Sequence, residues 1–393
     1  MQSSRSYFDF NATTPISPEV RAAVPGWLEM FGNPSSVHWG GRGPKTALRE
    51  ARRDFAQAIG ADPLEIVFTA GGSEANNLAI KGLFFALKRQ KSPRQHYLFT
   101  NIEHPSVGRT MEFLANQGAD VEVFPVGADG AVDLEAFAAR LRPTTALVSV
   151  MLANNETGVL LPVASMAKLA RAQGALFHSD CVQAFGKIPL SVKSLGVDLA
   201  SFAGHKFYSL KGGGALYVRK GVQLESLIHG GGQERHRRAG TENVLSLASL
   251  GLMSRQIHRV EQEAERIRNL RDHFETRVLT EISDVRVNSQ NLPRLPNTSS
   301  LVLPGVEGET LLMNLDLEGF AASTGAACSS GSTEPSPVLL AMGLSRQQAQ
   351  ASLRVSMGWP TTQDDVDRFV DALKGVVEHV RSLPKYDIRE IGL

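Results

Sequence analysis

Five short stretches combine residues able to hold charge, move protons or act as nucleophiles. They are Gly71-Gly72-Ser73, Glu103-His104, Asn154-Asn155-Glu156, Asp180 with Gln183, and His205-Lys206. Two glycines followed by Ser73 offer backbone N–H groups and a hydroxyl, which suit a phosphate if a helix starts there. The same residues also suit an ordinary turn and helix cap. Asp180 is either a strand-end cap or a permanent carboxylate partner for a protonated ring nitrogen. Lys206 is either a charge reaching solvent or a partly desolvated amine able to form a Schiff base. His104, His178, His205 and Asp180 could be drawn together as metal ligands. Their spacings match no familiar pattern, and the Lys206 cation opposes a metal ion, so no metal is expected. A sixth stretch, STGAACSSGSTEP, sets Cys328 among small polar residues. A packing cysteine belongs among large apolar side chains, as Cys181 does. A run of Gly, Ala, Ser and Thr leaves the backbone free, an unusual setting for a packing cysteine.

The elements that would carry these residues are legible as apolar runs. EIVFTA, HYLFTN, VEVFPV, TALVSVML, GALFHSD, LASFAG and GALYVR are all of strand length. Helical patterns lie between them, such as Ser73 to Gln90 with Leu78, Leu83, Phe84 and Leu87 on one face. Strands alternating with helices predict an α/β domain with a largely parallel sheet. Ligands of such sheets bind at the carboxyl ends of strands, where the five stretches lie. After Asn243 the pattern changes. Ile257, Val260, Ala264, Ile267, Phe274 and Val278 mark a long amphipathic helix in a charged segment. VRVNS, TSSLVLP and ASLRVSMG then read as short strands of a smaller α+β domain, with a boundary near residue 260. In ASLRVSMG the alternation aims Arg354 to one face, and its planar fork suits a carboxylate.

Totals narrow the function classes. The chain has 393 residues, long enough for two domains, and is 42% hydrophobic and 21% charged. Lys plus Arg number 41 and Asp plus Glu 40, a net charge of +1 with no basic stripe, so no direct nucleic-acid contact is expected. No apolar run reaches the roughly eighteen residues of a membrane span, and the first residues lack a signal region. Two cysteines cannot build a disulfide framework, so a cytoplasmic setting is expected.

Taken in order, TAGGSEANN, EHPS, NNETG, SDCVQAFGK, GHKFY, GGGQERHRRAGTEN and STGAACSSGSTEPS resemble segments of the cysteine desulfurases. These are pyridoxal-phosphate enzymes of aminotransferase class V. FDFNATTPISPEV, FGNPSSVH and SLRVSMG extend the resemblance over nearly the whole chain, and the long segment around Cys328 is similar to the NifS/IscS-like branch. The resemblance implies fold type I of the pyridoxal-phosphate-dependent transferases. Residues 15–260 would form a large domain with a mostly parallel seven-stranded sheet. Residues 1–14 and 261–393 would form a small α+β domain carrying Cys328.

The resemblance also implies roles. Lys206 would attach the pyridoxal 5'-phosphate, and His104 would stack on its ring and shuttle protons. Asp180 would pair with the pyridine nitrogen and Gln183 with the ring hydroxyl. Gly72 would line the cofactor site, Ser73 and His205 would hold the phosphate, and Thr241 would reach it from the other subunit of a homodimer. Asn33, Asn155 and Arg354 would surround the substrate, L-cysteine, with Asn155 also by the cofactor and Arg354 on the substrate carboxylate. Cys328 would take the sulfur as a persulfide, leaving L-alanine. It would then pass the sulfur to an acceptor protein such as an iron–sulfur scaffold.

This sequence departs from the family pattern in places. Ala203 stands where a phosphate-binding Ser is common, and Ser201 could share its face only in a regular strand. Ser209-Leu210 replaces a common Gly-Pro, and His236 replaces a frequent Gly. Other readings are a selenocysteine lyase, an aminotransferase on the same cofactor, or a non-catalytic sulfur-relay protein. An aminotransferase has no use for Cys328, and intact Lys206, Asp180 and Cys328 speak against a mere relay. A nicotinamide-dependent dehydrogenase is weakened by the missing GxGxxG.

Overall fold

The computed structural model describes residues 5–324 and 334–383. After a short first strand, β1 (Ser6–Tyr7), all seven apolar runs form strands of one sheet. They are β2 (Ile66–Thr69), β3 (His96–Thr100), β4 (Asp120–Phe124), β5 (Thr145–Ser149), β6 (Leu176–Asp180), β7 (Leu199–Ala203) and β8 (Gly214–Val218). Their order is β2-β8-β7-β6-β5-β3-β4. Only β8 runs antiparallel to its neighbours, so the sheet is mostly parallel, as expected. Both faces are buried. Phe68, Val148, Phe177 and Phe202 fill one side, and Val67, Leu147, Leu199 and Leu216 the other. Burial on both faces is why the runs are continuously apolar.

The helices that matter most for the site are α1 (Pro18–Leu28), α2 (Trp39–Ile59), α3 (Gly72–Arg89) and α4 (Pro105–Asn116). The long amphipathic helix spans Val260–Glu281, while Ile257 lies in a tighter turn, Arg255–Arg259.

A second core forms around β9 (Arg286–Val287), β10 (Thr298–Val302), β11 (Phe320–Ala321) and β12 (Ser352–Ser356). β12, β10 and β9 make an antiparallel sheet, and β1 pairs in parallel with β11. Phe8 is buried in this core with Phe274, Leu353 and Phe369, its ring 4.4 Å from that of Phe369. Asp9 bridges Ser356, so the N-terminal segment is woven into the C-terminal core. From there it runs on as Phe10 to Thr14 toward the carboxyl ends of β6 and β7, where Thr14 N–H meets the His205 carbonyl.

Candidate active site

The ends of β6 and β7 and the start of α3 surround a cavity of about 250 Å³. It gathers Gly72, Ser73, His104, Asn155, Asp180, Gln183, His205, Lys206 and Arg354. These come from distant parts of the chain: most are delivered by a strand end or the turn after it, Gly72 and Ser73 by the start of α3, and Arg354 by the middle of β12.

Asp180 is the last residue of β6 and is buried. One carboxylate oxygen accepts the Asn76 amide at 2.7 Å, and the other accepts the Val182 N–H at 2.9 Å. Asn76 projects from the first turns of α3 and also donates to Ser106 Oγ at 2.8 Å. Its own carbonyl oxygen is buried with no hydrogen-bond partner. His104 caps α4: its Nδ1 accepts the Ser106 N–H at 3.1 Å. A ring nitrogen that accepts is unprotonated, so in the neutral ring the proton is on Nε2. Its neighbour Glu103 is enclosed, and burial pushes its carboxyl up to about 8, so it is a neutral acid at pH 7.

β7 ends at Ala203, and a tight turn, Gly204–Lys206, swings Lys206 into the cavity. Its Nζ donates to the carbonyls of Asn11 at 2.6 Å and Ala12 at 2.7 Å. Gln183 Nε2 donates to the same Asn11 carbonyl at 2.9 Å. His205 pairs with Thr13 Oγ1 at 3.1 Å. Burial, then the charges of Lys206, Lys211 and Lys187, hold its ring near 4, so it is neutral at pH 7.

Arg354 rises from the middle of β12 with its side chain 3% exposed. It already grips a carboxylate, donating from Nη2 to Asp9 at 2.7 Å, and from Nη1 to the Asn155 carbonyl at 3.2 Å. Its Nε is buried without a partner.

Ser73 is the second residue of α3, not its cap: the cap position is Gly71, and no side chain caps that end. Gly72 and Ser73 line the cavity, and the opening N–H groups of the helix with the Ser73 hydroxyl form a donor set that suits a phosphate. A Cβ at Gly72 would come within 2.7 Å of Val182 Cγ2, so the backbone approaches closely there. Ser201 does not replace the missing Ser at position 203. β7 is regular, but the Ser201 hydroxyl is bound to His178 Nε2 at 2.9 Å, beneath the cavity. His178 Nδ1 meets Ser149 Oγ at 2.8 Å. Among the described residues no three His, Cys, Asp or Glu side chains converge as a metal site.

Asn33 and Thr241 are exposed and do not line this cavity. Asn33 Oδ1 instead accepts the Ser35 N–H at 2.9 Å. Cys328 lies outside the described residues. His236, where relatives often carry Gly, has φ of 62°, next to Glu234 at 48° and Arg235 at 58°. A left-handed backbone is what Gly tolerates best, so His236 bears strain there. Three residues escaped the sequence reading: Asn76, Asn11 and Lys187. Asn76 had a readable signal, four residues after Gly72 and so on the same face of α3. Asn11 works partly through its backbone carbonyl, which no side-chain pattern reveals.

Residues 6–369 match the aminotransferase class-V family. The chain is 44% identical to the cysteine desulfurase IscS of Dictyoglomus turgidum over 382 residues, which is 97% of this chain and 96% of that protein. It superposes on a solved NifS-like protein with a TM-score of 0.89 at 33% identity, covering 95% of this chain and all of that one (100%). It also superposes on SspA, solved in complex with cysteine, with a TM-score of 0.77 at 34% identity, over 89% of this chain and 98% of that one. The chain belongs to the aminotransferase class-V family, in the group of the cysteine desulfurases.

Proposed function

We propose that this protein is a pyridoxal-phosphate-dependent cysteine desulfurase that converts L-cysteine to L-alanine and leaves the sulfur as a persulfide on Cys328. The observation that carries this reading is one cavity holding the Lys206 amine, the Asp180 carboxylate and the Arg354 guanidinium. Bound there, pyridoxal phosphate supplies a protonated ring that draws electron density from the substrate Cα. Asp180, steadied by Asn76, keeps the proton on the ring nitrogen. Gln183 presents amide N–H to the ring hydroxyl. Ser73 and the N–H groups opening α3 take the phosphate. Neutral His205 closes that side beside Thr13. Lys206 attaches the cofactor, and its Nζ moves the Cα proton. His104, also lining the cavity, would offer the proton on its Nε2. Arg354, with Asn155 beside it, orients the substrate carboxylate. The net reaction balances without an outside oxidant: cysteine plus thiol gives alanine plus persulfide.

The chain on either side of Cys328 supports its part. It enters that segment from Ser323, whose backbone pairs with Arg354 at 2.6 and 3.3 Å. It leaves at Ser336, whose hydroxyl donates to Glu156, next to Asn155. Ser323 thus pairs with a residue that lines the cavity, Arg354, and the Glu156 that holds Ser336 adjoins another, Asn155. Cys181 is fully buried, and burial pushes its thiol far up, so it is no nucleophile. A homodimer would use Thr241 at the partner's phosphate. Leu28, Phe31, Val37 and Trp39 are 62%, 78%, 91% and 73% exposed, an apolar patch suited to covering by a second copy. The acceptor would be a sulfur-handling protein such as an iron–sulfur scaffold. The setting would be a reducing cytoplasm, since Cys328 must be a thiol to accept sulfur.

The test is chemical. The purified protein is expected to be yellow, and borohydride followed by peptide mapping is expected to mark Lys206. After incubation with cysteine, thiol trapping should find one extra sulfur on the Cys328 peptide. Label on Lys187 or Lys211, or sulfur on Cys181, would sink the reading.

A further inference from the structure

Lys187 follows a close approach of the backbone. Gly186 has φ of 77°, and a Cβ there would lie 2.0 Å from the Phe207 ring. The turn that results points Lys187 inward. Its Nζ donates to Gln183 Oε1 at 2.5 Å and to Asn11 Oδ1 at 2.7 Å. Both amide orientations are fixed by obligate acceptors. Gln183 Nε2 faces the Asn11 carbonyl, and Asn11 Nδ2 faces the Asn155 carbonyl at 3.1 Å. A carbonyl can only accept, so the atoms turned toward Lys187 must be the amide oxygens, and Lys187 must donate to both. The Asn11 carbonyl in turn accepts from Lys206 and Gln183 together.

We infer that Lys187 is a positioning residue for the desulfurase reaction proposed above: it locks the Gln183 amide with its N–H groups toward the cavity and fixes Asn11 beneath Lys206. The inference rests on that reading of the site and deepens it. The charges that reach Lys187 are Lys206, Arg354 and Asp9. Burial, then repulsion from Lys206 and Arg354, holds its ammonium well below the usual lysine range. Even as a neutral amine it keeps two N–H donors, which match its two contacts. Without Lys187 the Gln183 carbonyl loses its donor and the amide is held by the Asn11 carbonyl alone, so it can shift from where its N–H is needed.

The experiment compares Lys187→Met, Lys187→Arg, Gln183→Leu and the double variant Lys187→Met/Gln183→Leu, each loaded with pyridoxal phosphate. Absorbance of the lysine-bound cofactor is titrated with pH. A donor on the ring hydroxyl oxygen competes with the proton at the lysine linkage, so losing it raises the midpoint. Lys187→Met is expected to raise the midpoint by about one pH unit, a tenfold change in the proton equilibrium. Its kcat should fall roughly tenfold with KM nearly unchanged, as for a lost orientation effect. Gln183→Leu should shift the same way, and Lys187→Arg, which keeps donors, should stay near wild type. The double variant should fall well short of the summed shifts, because both changes remove one interaction. A midpoint unmoved in Lys187→Met, or fully additive shifts, overturns the role of Lys187. Should Lys187→Met fail to fold, the other singles decide: an unmoved Gln183→Leu or a fully shifted Lys187→Arg overturns it. A wild type that binds no pyridoxal phosphate overturns the site reading and this inference together. A yellow wild type with an unmoved Lys187→Met overturns this inference alone.

Discussion

The two walls of the cavity are held in different ways. Asp180 and His104 lean on elements of the central sheet and its helices: Asn76 of α3, Ser106 of α4, and the turn after β6. Lys206, Gln183 and Arg354 lean on the N-terminal segment, through the carbonyls of Asn11 and Ala12 and the carboxylate of Asp9. The first wall is rigid because its supports are two packed helices and the turn that directly continues a sheet strand. The second depends on an irregular connecting segment that spans two cores, Phe8 in one and Phe10 in the other. Movement of the C-terminal core would therefore be felt at Arg354 and Lys206 before Asp180.

The largest effect separating the walls should come from Asp180→Asn. Removing the fixed carboxylate leaves the ring nitrogen without its counter-charge, and kcat should fall by about 10²–10³, the range for a lost electrostatic partner. Steady-state alanine production measures this. A loss under tenfold would mean that the sheet wall does not carry the electronic work.

Arg354→Lys strikes the other wall. The charge survives but the fork does not, so KM for cysteine should rise roughly tenfold with a smaller change in kcat. Asp9→Asn makes the complementary case. Asp9 now competes with the substrate for the guanidinium, so its neutralisation should lower KM by about threefold. It should also cost stability, because Arg354 loses a buried partner. If both variants leave KM unchanged, Arg354 is a structural ion pair and the substrate is held elsewhere.

Asn76→Ala should cost less than Asp180→Asn, about tenfold in kcat with KM unmoved, since it loosens Asp180 without removing it. A drop as large as that of Asp180→Asn would mean that orientation, not charge, is the scarce quantity on this wall.

The contrast also explains what could be read from residues alone. The seven strands were legible because a sheet covered on both faces needs unbroken apolar runs. Asp180, His104 and Lys206 were legible because strand ends are where such a sheet presents its polar groups. The N-terminal contribution was hidden, because Asn11 and Ala12 act through backbone carbonyls that every residue possesses. Lys187 looked like any lysine near a turn; its inward course depends on Gly186 passing the Phe207 ring. Ser73 kept two readings until α3 was seen to start at Gly72, which places Ser73 inside the helix. Strand alternation put Arg354 on one face, which lines the cavity, but its grip on Asp9 joins residues that only the fold brings together.

The smallest expected effect tests the floor beneath the sheet wall. His178 lies two residues before Asp180 in β6, fully buried between Ser149 and Ser201. Burial lowers its ring from 6.5 to about 4, with Asp180 opposing the shift. The folded protein therefore resists taking a proton that the unfolded chain accepts below about 6.5. Between those values the unfolded state binds more protons, so stability falls as pH falls through the window. From pH 7 to pH 5 the loss from this one group is roughly 2 kcal/mol. His178→Gln keeps a polar side chain between the two serines but cannot titrate. It should be less stable than wild type at pH 7, yet lose less on acidification, narrowing the gap by that amount. Chemical denaturation of both proteins at the two pH values measures the gap. Equal losses in wild type and variant would show that His178 takes up its proton without unfolding cost. The floor would then be softer than its burial and its two serine contacts imply, and the rigidity assigned to the Asp180 wall would have to come from Asn76, Ser106 and the turn after β6 without it.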